Sequence, residues 1–156
     1  MKNLLLLFAI CPVLGWSQTP GYKLSSFLNT DLSIEKKAPN THYIGNAWLN
    51  RIVIAEDDFA YNITQATFSA DSTLDWHKHS TGQVLIVISG KGFYQERGKE
   101  VIVLEEGSIV KCDKDTEHWH SSTPEHNISY LAIYGASETI WTEKLSKQTY
   151  DQINID

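Results

Sequence analysis

From Tyr43 to about Trp141 the chain is a succession of short apolar runs cut by turn residues, and that pattern leaves few folds open. Residues 47–55 are apolar and β-branched and end at the acidic turn Glu56-Asp57-Asp58. Residues 59–70 alternate loosely, with Phe59, Tyr61 and Ile63 against Ala60, Asn62 and Thr64. Val84-Leu85-Ile86-Val87-Ile88 reads as a buried strand, Ser89-Gly90-Lys91-Gly92 as a hairpin turn, and residues 93–96 as the strand that returns from it. Arg97-Gly98-Lys99 is a second turn, and residues 100–104, 108–112 and 128–134 are further strands. No amphipathic helix falls between these runs, so the sequence predicts an all-β domain, an antiparallel sandwich or barrel. Helix is expected only near the end, where Ser146 can cap a turn or two over residues 147–153. Residues 18–42 are polar, carry Pro20 and Pro39, and read as an N-terminal arm; residues 43–143 form the barrel and residues 144–156 a helical tail.

The first residues read as an export signal. Lys2 supplies a positive start, residues 4–14 are almost unbroken apolar sequence, and Gly15-Trp16-Ser17 offers small residues for cleavage after Ser17. Eleven apolar residues are too few to cross a bilayer, which takes roughly 20. The flanks of Cys11, Ile10 and Pro12, match a lipid-attachment site poorly. The expected product is an exported protein, periplasmic or secreted, with no membrane attachment once residues 1–17 are removed. Cleavage takes away Lys2 and no acid, so 12 basic residues against 19 acidic ones leave a formal charge of −7. Such a balance, without a basic stripe, argues against nucleic acid and anionic membrane as partners. Cys112 is then the single cysteine, so no intrachain disulfide can form, and Lys111 and Asp113 beside it do not make a nucleophile. A buried strand position is its expected place. Asn62-Ile63-Thr64 and Asn127-Ile128-Ser129 fit the glycosylation pattern but fall on expected strands and are read as chance matches.

Five of the six histidines lie between positions 77 and 126. In Trp76-His77-Lys78-His79 and again in His118-Trp119-His120 two histidines stand two apart, and on a strand such residues share a face. Ser80-Thr81-Gly82 is a turn, so Gln83, opening the next strand, can return to that face. Three imidazoles and one amide oxygen make a reasonable site for a first-row transition metal.

The string His77-x-His79-x3-Gln83-x6-Gly90, followed by Gly107-x10-His118, resembles the two sequence motifs of the cupin superfamily. Over residues 43–143 the resemblance implies a double-stranded β-helix, the jelly-roll cupin barrel. It implies His77, His79 and His118 as ligands, Gln83 in the position usually held by glutamate, and Gly90 and Gly107 as turn glycines. Asp71 stands where the first glycine is usual, Asp113 and Asp115 replace a proline and a glycine, and Ser122 replaces an asparagine. The turn before His118 is therefore expected to differ in shape. Trp76-His77-x-His79-x3-Gln83, His118-Trp119-His120, Trp141-x-Glu143-Lys144 and Tyr150 are similar to a narrower group, cupins associated with carboxymuconolactone decarboxylases. That group includes manganese-dependent hydroxynitrile lyases that hold their metal with three histidines and a glutamine. The resemblance implies a divalent first-row ion, manganese first, with iron, nickel, zinc or copper as alternatives. Those lyases carry a further histidine twelve residues after the last ligand; here the position is Tyr130, a poor base with an ordinary pKa near 10.

Four neutral ligands leave a divalent ion its formal charge of about +2 and favour an anionic substrate oxygen. Two reaction types suit such a site: lyase chemistry beside a carbonyl, and dioxygen addition to a chelated enolate. The expectation is a metal-dependent enzyme for a small oxygenated organic molecule, with His120 as acid/base and Tyr130 orienting substrate. A barrel that binds metal or ligand without turnover is the alternative, since the fold hosts both. Trp76 and Trp119 should point away from the ligands and pack beneath them. Residues 43–55 are apolar enough to pair two copies, so a homodimer or higher homo-oligomer is expected, with residues 141–155 folding back over that surface.

Overall fold

The computed structural model describes residues 36–38 and 42–153. The export signal and most of the N-terminal arm lie outside the described residues. The strands are β1 (Lys36–Lys37), β2 (Tyr43–Ile44), β3 (Ala47–Val53), β4 (Tyr61–Phe68), β5 (Thr73–Leu74) and β6 (Trp76–His79). They continue with β7 (Gln83–Glu96), β8 (Ile102–Glu105), β9 (Ile109–Cys112), β10 (His118–Ser122), β11 (Ile128–Gly135) and β12 (Thr139–Glu143), and one helix follows, α1 (Lys147–Asp151). The pairings are antiparallel and give the curled jelly-roll expected from the sequence. One sheet runs β1-β3-β4-β11-β7-β9. In the other, β10 lies between β7 and the segments β5 and β6, β8 flanks β7, β12 flanks β6, and β2 flanks β5.

Strand β7 belongs to both sheets, which corrects the reading of residues 89–92 as a hairpin turn. Its first half pairs with β11 as far as Gly90, and its second half pairs with β10 from Gly92 onward. The chain bends there without reversing. Gly90 sits at φ +83°, and a side chain on it would run into the backbone carbonyl of Asn127; one on Gly92 would meet that of Ser121. Two glycines separated by one residue therefore mark a corner where a strand changes sheets, a use of glycine that sequence alone does not separate from a tight turn.

Alternation along the strands sorts side chains into two cores. Inside the barrel, Ala47, Ala66, Phe68, Leu85, Val87, Leu104, Ile128 and Tyr130 pack together. The polar arm contributes here, because β1 pairs with β3 and Ala38 is buried in this core. Behind the second sheet, Trp76 and Trp119 pack edge to face with ring centroids 6.3 Å apart and are joined by Phe93, Leu145 and Tyr150. The tryptophans thus point away from the histidines beside them, as the period of two requires. Ser146 caps α1 by accepting from the Thr149 amide at 3.0 Å. The helix ends at Asp151 rather than Ile153, and its Tyr150 hydroxyl donates to the Ser122 carbonyl at 3.0 Å. Leu145 and Tyr150 cover the back of the second sheet, so this stretch does not fold over residues 43–55.

Candidate metal centre

The histidines meet because β6 and β10 are neighbours in register, with His77 directly opposite His118. His79 and His120 follow two residues on, so all four imidazoles project to the inner face. Candidate ligand atoms of His77, His79 and His118 lie within 4.8 Å of one another, and all three residues are buried. Gln83 opens β7 beside them, its Oε1 3.1 Å from His118 Nε2 and its Nε2 3.2 Å from His79 Nε2.

Backbone carbonyls set the ring orientations. His77 Nδ1 lies 2.8 Å from the Asp75 carbonyl and His118 Nδ1 lies 3.0 Å from that of Thr116. A carbonyl only accepts, so each Nδ1 carries the hydrogen and each Nε2 presents a lone pair to the cluster. His118 Nε2 faces one end of the Gln83 amide at 3.1 Å, and His79 Nε2 faces the other at 3.2 Å. The donor set therefore fits a first-row divalent ion held by His77, His79, His118 and Gln83.

The electrostatics agree with this use. Burial, then His118, pushes His77 well below its ordinary value, against the opposing pull of the Asp75 carbonyl. Burial, then His118, lowers His79 to about 4. His118 is lowered chiefly by burial, and His120 falls well down through burial and then His77. All four are neutral at neutral pH, which is the form that binds metal.

His120 and Tyr130 form a pair beside the cluster. The Tyr130 hydroxyl is 2.8 Å from His120 Nδ1, while His120 Nε2 is buried without a hydrogen-bond partner among the described residues. Burial raises Tyr130 well above its ordinary pKa, so it stays a phenol. Cys112 is a buried free thiol on β9, 3.3 Å from His118 Nδ1, and burial raises its pKa.

The six residues singled out in the sequence surround one place. His77, His79, Gln83, His120 and Tyr130 line a cavity of about 120 Å³, and His118 lies buried beside them. Sequence reasoning missed most of the far wall. Ala66 and Ala132, on β4 and β11, carry no chemical signal, and Trp141 entered only through its resemblance to related sequences. Asp75 was missed too, although its carbonyl orients His77 and its carboxylate accepts the Leu145 amide at 3.0 Å.

Comparison with known proteins bears on the same region. Residues 66–134 match the model of the cupin domain. A cupin-like protein from Thermotoga maritima is 31% identical, with a TM-score of 0.70, over 76% of this chain and 92% of its own. A polyketide cyclase from Streptomyces resistomycificus shares the fold at 11% identity, with a TM-score of 0.62, over 80% of this chain and 90% of its own. A DMSP lyase structure shares it at 14% identity, with a TM-score of 0.55, over 62% of this chain and 53% of its own. No curated protein matches the chain.

Proposed function

The chain belongs to the cupin superfamily, and from that premise we propose that it is a metal-dependent enzyme acting on a small oxygenated organic molecule. The observation that carries the proposal is the convergence of candidate ligand atoms of the buried His77, His79 and His118 within 4.8 Å of one another, with the Gln83 amide beside them. A divalent ion on four neutral ligands would supply undiminished Lewis acidity toward an anionic oxygen. Manganese is the first candidate, on the three-histidine, one-glutamine resemblance; iron, nickel, zinc and copper accept the same donors.

His120 holds the acid/base role. A tyrosine hydroxyl can donate or accept, so Tyr130 can serve either tautomer of His120. With Tyr130 accepting from Nδ1–H, His120 offers the Nε2 lone pair as a base, and the imidazolium so formed returns that proton from Nε2 as the acid. This serves both lyase-type chemistry beside a carbonyl and dioxygenase-type chemistry on a chelated enolate. Residues 1–17 support a periplasmic or secreted location. Exposed Ile52 and Ile54, at the end of β3, support pairing of two copies, and sedimentation of the mature protein tests that pairing.

Elemental analysis of protein purified without added metal, beside a His77→Ala/His118→Ala variant, tests the reading. About one first-row ion per chain, lost in the variant, is the expected result. Absence of metal from both, even after reconstitution, would remove the enzyme as proposed and leave a ligand-binding barrel.

A further inference from the structure

The cavity in front of the histidines has two unlike walls. His77, His79, Gln83 and His120 make one. Ala47, Leu49, Ala66, Phe68 and Ala132, from β3, β4 and β11 of the opposite sheet, make the other. Small residues keep the far wall open: Ala66 stands between Leu49 and Tyr130 in register, and Ala132 pairs with Thr64 one step along. Thr64 Oγ1 and the Tyr134 hydroxyl lie 3.2 Å apart and can satisfy each other, the Tyr130 hydroxyl pairs with His120, and Thr139 adds one more hydroxyl to the lining. Trp141 closes one side, its ring 5.0 Å from His77 and stacked on His42 at 4.4 Å. No lysine, arginine, aspartate or glutamate is among the described residues that line the space.

From these walls we infer that the substrate is a compound with one metal-binding oxygen head and an uncharged, apolar body about the size of a benzene ring, and that Ala66 and Ala132 set how large that body can be. The inference rests on the metal reading above. An apolar cavity of about 150 Å³ takes benzene, and this one is of that order. A second anionic group on the ligand would leave water for a wall with no cation to receive it. A polyol would lose its hydration against alanine, leucine and phenylalanine side chains. Sugars, phosphates and dicarboxylic acids are the substrate classes these walls disfavour.

The test uses one chelating head on different bodies. Protein loaded with manganese is titrated calorimetrically with acetohydroxamate, benzohydroxamate, 4-nitrobenzohydroxamate and 4-carboxybenzohydroxamate, with metal content measured in each sample. Benzohydroxamate should bind about tenfold or more tighter than acetohydroxamate, because the ring carbons leave water. The nitro compound, uncharged and of similar size to the carboxylate, should bind more tightly than it does. Ala66→Leu should abolish the aromatic advantage at unchanged metal content. Acetohydroxamate binding as tightly as benzohydroxamate, or the carboxylate as tightly as the nitro compound, overturns the inference whatever the variant does. If no metal is retained, the functional reading fails by itself, and phenol against glycerol on the metal-free protein still reads the cavity. Phenol binding alone upholds the apolar wall, and glycerol binding, or neither, overturns it.

Discussion

At the scale of single residues, the proposed function divides groups that would hold an ion from a group that would move a proton. His77, His79, His118 and Gln83 converge on one point, whereas His120 stands beside them with its Nε2 buried and unpartnered among the described residues. His120→Ala should keep about one ion per chain and lower turnover by about 10²- to 10⁴-fold, and loss of metal along with activity would move His120 into the ligand set. Acidity is the second residue-scale consequence. An unfolded histidine titrates near 6.5 and folded His79 near 4, so between those values the unfolded chain binds the extra proton. Stability of the metal-free protein should hold above pH 6.5 and fall as pH drops toward 4, by about 3 kcal/mol from His79 alone. Thermal unfolding across that range, compared with a His79→Gln variant of shallower slope, measures it. The gathering of these histidines on one face was legible in the sequence because the two-residue repeat of a strand decides which side chains share a face. Asp75 was not, because it acts on His77 through a backbone carbonyl, which every residue type possesses.

At the scale of elements, β7 does most to position the chemistry. It opens with Gln83 at the metal site, passes from one sheet to the other between Gly90 and Gly92, and ends where Gln95 accepts from the Trp119 indole at 2.9 Å. Gly90→Ala should destabilise the fold by about 2 kcal/mol or more, because it adds a left-handed backbone penalty to a collision with the Asn127 carbonyl. A shift of the urea midpoint checks this, and a midpoint equal to the parent's would mean the corner can relax. The same corner shows where sequence reading stops. Buried runs such as Val84–Ile88 announce themselves, but a glycine pair looks alike in a turn and in a bend between sheets. β1, β2 and β5 are two residues each and too short to show alternation. Asp71 and Asp115 supply a finer case. Both stand where the cupin motifs have glycine, and both adopt positive φ, 60° and 62°. Aspartate tolerates that region better than most residues, so the backbone keeps a left-handed residue at each point without glycine.

At the scale of the whole molecule, a strand surface carries the metal site on its inner face and an aromatic core behind it. Arg97 ties the back together: its guanidinium lies 3.7 Å over Trp76, and it donates to Glu117 and Glu143 at 2.8 Å each. A metal that bound only the folded arrangement would stabilise the molecule by mass action, about 2.7 kcal/mol at a hundredfold excess over the dissociation constant. A chelator should lower the melting temperature of the parent and leave the His77→Ala/His118→Ala variant where it was. The register of β6 against β10 carries this further. An ion bridging His77 and His118 is a reversible cross-link that closes a loop of about forty residues. With such an ion in place the two strands could not part until it left, so it would act as a clock on unfolding. If the strands pair after the folding barrier, losing the ion should speed unfolding and leave the folding rate almost untouched. In the exported location proposed here, the local supply of one trace element would then help set the protein's lifetime against proteolysis.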